Sequence, residues 1–335
     1  MCQSKAEGGK RCEYADQVAN VRRKARYKHA GEYDSERQAQ KAVDAWKRAN
    51  PQIVEAHLPS RSKYQVKAGK KPVPDALLAL LTPPATAITG VGEARRAELT
   101  KQLYEEHTSW VQRMEKDAAE ALISYSITSY ETINLRLRRS GLPQWEKLNY
   151  RLHGSLEHVD KKIRWMDEAF KTFSPSTPKQ PRRVYRLVEL PAGVRPSTYL
   201  SKYHQKGEGF MDLAPMSTTC DPEYLMAWAS KDRNKKYMIL EILTSSGRSL
   251  QRRGTASVSS LQSLEQEVLI PRRAKFRVVG KRRSQLFQYS EDRRDLAMRV
   301  SNSNLPDSLY AQYGKHKAGQ QQRFPVVQLI EETLL

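Results

Sequence analysis

Three short pieces of this 335-residue chain carry residue types suited to chemistry. The first is Val184-Tyr185-Arg186-Leu187. An arginine inside an apolar strand run is costly unless its guanidinium meets an anion, and its planar fork suits a phosphate. An edge-strand arginine in a salt bridge would read the same. The second is Met216-Ser217-Thr218-Thr219, followed by Asp221-Pro222-Glu223. Its hydroxyls can serve a site, or close a strand and cap the helix that Asp221-Pro222 begins. The third is Leu264-Glu265-Gln266-Glu267-Val268-Leu269-Ile270-Pro271. On a strand, Glu265 and Glu267 point the same way because side chains alternate. Two such carboxylates repel, so a cationic partner or a developing positive charge would account for them. So would an exposed acidic strand end.

The elements that must position these pieces change character along the chain. Residues 1–60 read as helical, with Asp34-Ser35-Glu36 capping a helix through Ala39, Val43 and Trp46 that stops before Pro51. Residues 60–92 hold Pro72, Pro74, Pro83, Pro84, Gly90 and Gly92 and read as a linker. Ile123, Ile127, Tyr130, Ile133 and Leu137 lie on one face of a helix ending near Gly141. Val159, Ile163, Met166, Phe170 and Phe173 mark a second. After Pro181 come β-rich runs: Val184 to Leu190, Tyr237 to Leu243, Glu267 to Ile270, Phe276 to Val279 and Val326 to Ile330. Helices followed by strands predict an α+β domain over residues 93–335, with its core from about 110. Residues 281–323 read as a polar, basic insertion, and residues 1–92 as a basic helical region with its Pro/Gly-rich linker.

In this order and spacing, the three pieces resemble the arginine, Ser-Thr-Ser and Glu-x-Glu motifs of mono-ADP-ribosyltransferases, in the clostridial-toxin-like, arginine-specific branch. Ala121 to Tyr130 with Ile133-Asn134 resembles the helix that opens that domain. Gly207 to Thr219 resembles the approach to the serine motif, and Lys275 to Val279 the strand after the glutamates. The resemblance spans roughly residues 110–335. It implies two packed, mainly antiparallel sheets flanked by helices. It also implies cleavage of the nicotinamide–ribose bond of NAD and transfer of ADP-ribose to a nucleophile.

By the same resemblance, Glu267 stabilises the cationic ribose, Arg186 holds the pyrophosphate and Ser217 orients Glu267. Thr218 and Thr219 support the strand. Tyr185 and Leu187 flank the cofactor-binding arginine, and Leu187 stands where the family often has Gly. Glu265 faces the acceptor. A Glu at that position goes with arginine on a target protein; a Gln goes with other acceptors. Between residues 244 and 260, Arg248 or Arg252 would supply a second phosphate contact.

Composition bounds the remaining possibilities. Lys and Arg number 58 against 37 Asp and Glu, a net charge of +21 that attracts polyanions. This motivates a rival reading, transfer to DNA or RNA; a silent binding protein on the same fold is another. No apolar run approaches a membrane span. Three cysteines exclude a disulfide scaffold, and the wide Cys2–Cys12 gap disfavours zinc. No metal and no Gly-rich phosphate loop are expected. The polar N-terminus shows no secretory signal, which predicts action in cytosol, delivered by a phage particle or another secretion machine.

Overall fold

The computed structural model describes residues 65–66, 68–69, 71–83, 85–126, 130–138, 156–172, 180–190, 195–203, 206–231, 235–250, 266–290 and 318–335. The expected helix over 39–46, Cys2, Cys12, Arg252 and Glu265 lie outside them.

The helices are α1 (Asp75–Leu78), α2 (Glu93–Val111), α3 (Lys116–Ser124), α4 (Tyr130–Arg138), α5 (Leu156–Lys171), α6 (Pro196–Tyr203) and α7 (Pro222–Lys231). The strands are β1 (Gln65–Val66), β2 (Ile88–Thr89), β3 (Arg182–Glu189), β4 (Gly209–Met211), β5 (Met216–Thr219), β6 (Tyr237–Thr244), β7 (Arg248–Ser249), β8 (Glu267–Ile270), β9 (Lys275–Gln288) and β10 (Gln321–Glu331). The α+β expectation holds. The described strands form one hydrogen-bonded path, β1-β4-β9-β10-β6-β3-β5-β8-β7, with β2 added to β9. The pairs β10–β6 and β2–β9 are parallel and the rest antiparallel.

This path folds back on itself. β4 leads straight into β5 and β8 into β9, yet β4 pairs with β9 and β5 with β8. The two connections run side by side, joined where the Arg273 amide donates to the Asp212 carbonyl at 2.8 Å. Two layers result, sharing one core. Val184, Met216, Val268 and Ile270 pack with Phe210, Phe276, Val278 and Leu329. Outside β8, Leu269 meets α3, α4 and α5 through Ala121, Leu122, Ile133, Val159, Ile163 and Met166. Outside β3 and β6, Tyr185 and Ile239 meet Leu225 and Met226 of α7.

Three expectations change. The long amphipathic helix ends at Ser124, where residues 125–126 widen into a π-turn and Ser126 Oγ donates to the Ile123 carbonyl (3.0 Å), before α4 restarts at Tyr130. The described part of the 60–92 linker is bound to the sheet. Thr82 donates from its amide (2.9 Å) and hydroxyl (2.6 Å) to Glu241, which sits wholly buried in β6 and also accepts from Gln328 Nε2 at 2.7 Å. Arg282 donates to the Pro83 carbonyl at 3.2 Å and to the Thr82 carbonyl. Proline-rich chain lacks ladder donors, but its carbonyls still demand partners. Finally, the insertion begins later than residue 281. β9 continues through Gln288, paired with β10 from Gln321, so Lys281, Arg282 and Arg283 are strand residues.

Candidate active site

The topology makes the three motif strands neighbours. β5 lies between β3 and β8, touching β3 at Tyr185↔Thr219. Against β8 it pairs Ser217↔Leu269, Thr218↔Val268 and Thr219↔Glu267. Alternation therefore puts Ser217, Thr219 and Glu267 on one side and Thr218 on the other. Ser217 Oγ donates to Glu267 Oε1 at 2.6 Å, within the range of a short charge-assisted bond. Ser217 is exposed and Glu267 half-buried, so the pair is both held and reachable from solvent. Thr218 is buried and donates to the Val268 carbonyl at 2.6 Å. That bond locks β5 to β8 beneath the pair.

The other expected site residues are placed differently. Tyr185 is buried against α7, beside a partly buried Leu187. Arg186 is half-buried on β3, opposite Leu240 of β6. Alternation sets it on the side of Val184, the opposite side of the sheet from Ser217 and Glu267. Arg248 is buried and donates to the carbonyls of Ser245 (3.1 Å) and Gly247 (2.8 Å). Burial pushes its pKa down to about 10. Arg182 bridges Glu106, whose other oxygen accepts the Ser249 amide at 3.1 Å. Cys220 follows the hydroxyl motif, and burial raises its thiol to about 12, which leaves it protonated and unreactive.

Behind the pair lies a buried polar network that the sequence did not announce. Asp221 receives Arg96 Nε at 3.0 Å and the Glu223 amide at 3.0 Å, capping α7. Its own amide donates to Thr219 Oγ1 at 3.0 Å. Glu223 lies 3.7 Å from Arg96 Nη2 and accepts from the Ser290 amide (2.6 Å) and hydroxyl (2.7 Å). Two carboxylates face one guanidinium. Burial first, and then Asp221's charge, push Glu223 up to about 7. Burial raises Asp221 as well, against the pull of Arg96. Asp-Pro-Glu was legible as a helix start. Its partner Arg96, 125 positions earlier, was not.

Of the strand expected to carry both glutamates, the described part starts at Gln266, and Glu265 lies outside the described residues. β8 begins at Glu267, and Gln266 has φ +42°, a left-handed residue outside the strand. Among the described residues no group of three or more His, Cys, Asp or Glu could hold a metal ion, and no helix is long and apolar enough to cross a membrane. Of the described basic pairs and runs, Arg272 pairs with Asp167 and Arg282 with the docked 82–83 segment, while the neighbouring Arg273 and Arg283 are exposed.

Residues 99–302, more than half of the chain, match the family model described as ADP-ribosyltransferase exoenzyme. The chain belongs to this family. The matched span contains Arg186, Ser217 and Glu267, and these ADP-ribosyltransferases use NAD as the donor of ADP-ribose. No curated protein matches the chain. Among solved structures it is similar to the Vis toxin, an ADP-ribosyltransferase from Vibrio splendidus. Identity is 18% and TM-score 0.44, over 72% of this chain and 87% of that one. It is also similar to C2-I, the enzymatic component of the Clostridium botulinum C2-toxin (16%, TM-score 0.42, 74% and 50% covered). A third is the toxin BECa of C. perfringens, solved with NADH (14%, TM-score 0.43, 73% and 50% covered).

Proposed function

We propose that this ADP-ribosyltransferase is arginine-specific and acts on target proteins in cytosol, where NAD is available. The NAD chemistry rests on the Ser217–Glu267 bond of 2.6 Å on adjoining strands, open to solvent, and the arginine acceptor on the presence of Glu265 two residues before Glu267. A carboxylate fixed in that way can hydrogen-bond a ribose hydroxyl and stabilise positive charge on the sugar. The C1′–nitrogen bond of NAD breaks and nicotinamide leaves with the bonding electrons. A guanidinium nitrogen of the target then bonds C1′ and gives up its proton. Glu265, two residues before Glu267, is the base we assign to that proton. Arg186 is the residue assigned to the pyrophosphate. Arg248 is already committed to two carbonyls and, as placed, holds the turn before β7.

The test is nicotinamide release from NAD by the purified chain, with and without a small guanidine acceptor such as arginine methyl ester. The acceptor should become ADP-ribosylated. Glu267→Ala should lose both release and transfer. Glu265→Gln should keep release and lose transfer. Release without any guanidine product would overturn arginine specificity.

A further inference from the structure

Gln266, between the two glutamates, is wholly buried. It departs from a relaxed state twice. Its φ of +42° is one that side-chain-bearing residues adopt at a cost of about 1 kcal/mol or more. Its Oε1 is buried without a hydrogen-bond donor among the described residues. Against these costs stand three anchors. Its Nε2 donates to the Arg96 carbonyl and to Thr100 Oγ1 on α2, both at 3.2 Å. Its carbonyl accepts from the Cys220 amide at 3.2 Å, one residue beyond β5. The next residue is Glu267, in register with Thr219.

These anchors close a ring. Thr219 holds Asp221, Asp221 holds Arg96, and the Arg96 carbonyl holds Gln266. Gln266 then sets the start of β8, which returns to Thr219. We infer that Gln266 is a positioning residue, a side-chain clamp from α2 that fixes where β8 begins and thereby aims the Glu267 carboxylate at Ser217; this inference rests on the reading of Glu267 as the residue acting on the ribose. A shift of the β8 start by about 1 Å would break a bond of this length, and misplacement on that scale costs on the order of a hundredfold in rate. A purely structural glutamine would lower stability and leave the rate per folded enzyme alone.

The experiment uses Gln266→Met, which keeps the buried volume and removes both donors to α2. Thr100→Val removes one partner from the far side and guards against a Gln266 variant that does not fold. For nicotinamide release, Gln266→Met should lower kcat by about tenfold to a hundredfold with KM for NAD within about threefold. Thr100→Val should lower kcat in the same direction by less, and the double variant should fall no further than Gln266→Met. The carboxyl carbon-13 resonance of Glu267, assigned with Glu267→Gln, should move in both single variants while the other glutamates stay in place. An unchanged kcat, a loss confined to KM, or an unmoved Glu267 resonance would overturn the inference. Were the wild-type chain to release no nicotinamide, the enzymatic reading would fail separately. The resonance would then decide: movement supports the clamp, and an unmoved signal overturns it.

Discussion

Ser217→Ala removes one hydroxyl and should leave its surroundings intact. Thr218 holds β5 to β8 through the Val268 carbonyl, and Thr219 is tied to Asp221, so neither depends on Ser217. Ser217 is exposed, so its truncation opens no cavity. The variant should therefore unfold within about 2 °C of wild type. What it loses is the 2.6 Å bond to Glu267. Hydrogen bonds to charged groups contribute about 1.5–3 kcal/mol. If that energy serves to hold the carboxylate where positive charge develops, nicotinamide release should slow by roughly tenfold to a hundred-and-fiftyfold. The assay is the initial rate of release at saturating NAD, with Glu267→Gln alongside. Glu267→Gln keeps an acceptor for Ser217 but loses the charge, so it should fall further, by about a thousandfold or more. A Ser217→Ala enzyme within twofold of wild type would show that the bond does not orient the catalytic carboxylate.

Further outcomes follow from the buried groups. Glu223 rises from its ordinary 4.5 to about 7, so the folded chain holds a proton there that the unfolded chain has released. Stability should thus fall as pH rises through that window, by about 3 kcal/mol at its upper end. In urea unfolding at pH 5 and pH 8, Glu223→Gln should flatten that slope; parallel curves for the two proteins would refute it. Glu241→Ala strips three donors of their acceptor and should cost about 3 kcal/mol. It should also open residues 71–90 to limited proteolysis, and an unchanged cleavage pattern would count against that docking. Arg186→Lys keeps the charge and loses the planar fork. It should raise KM for NAD about tenfold with kcat within about threefold. A change in kcat alone would move Arg186 away from the pyrophosphate.

The strands and motifs were legible because short apolar runs ending in Pro, Gly or Asp leave little choice of element. Val184 to Leu190 and Tyr237 to Leu243 became β3 and β6 almost residue for residue. The Arg, Ser and Glu motifs could be ordered along the chain, but their adjacency comes from pairing β5 between β3 and β8. Composition alone says nothing of that. The docking of residues 71–83 on the sheet is hidden in the sequence for a related reason. Pro72 to Gly92 reads as irregular, and apart from the single turn of α1 and the two residues of β2 its described residues are, yet irregular is not detached. Its attachment depends on Glu241, Gln328 and Arg282, all far away in sequence. The left-handed turn at Gln266 was equally hidden, since a glutamine between two glutamates gives no local hint of positive φ. The partners of its side chain lie on α2, at Arg96 and Thr100.

The most direct measurement of the central claim is the fate of label from NAD carrying a marked ADP-ribose. The purified chain is incubated with that NAD and a cell lysate, and portions are then treated with protease or nuclease and the modified residues mapped. The account predicts label that protease releases and nuclease does not, mapped to arginine side chains and absent with Glu267→Ala. Label released by nuclease, or none from an enzyme that also frees no nicotinamide, would contradict it.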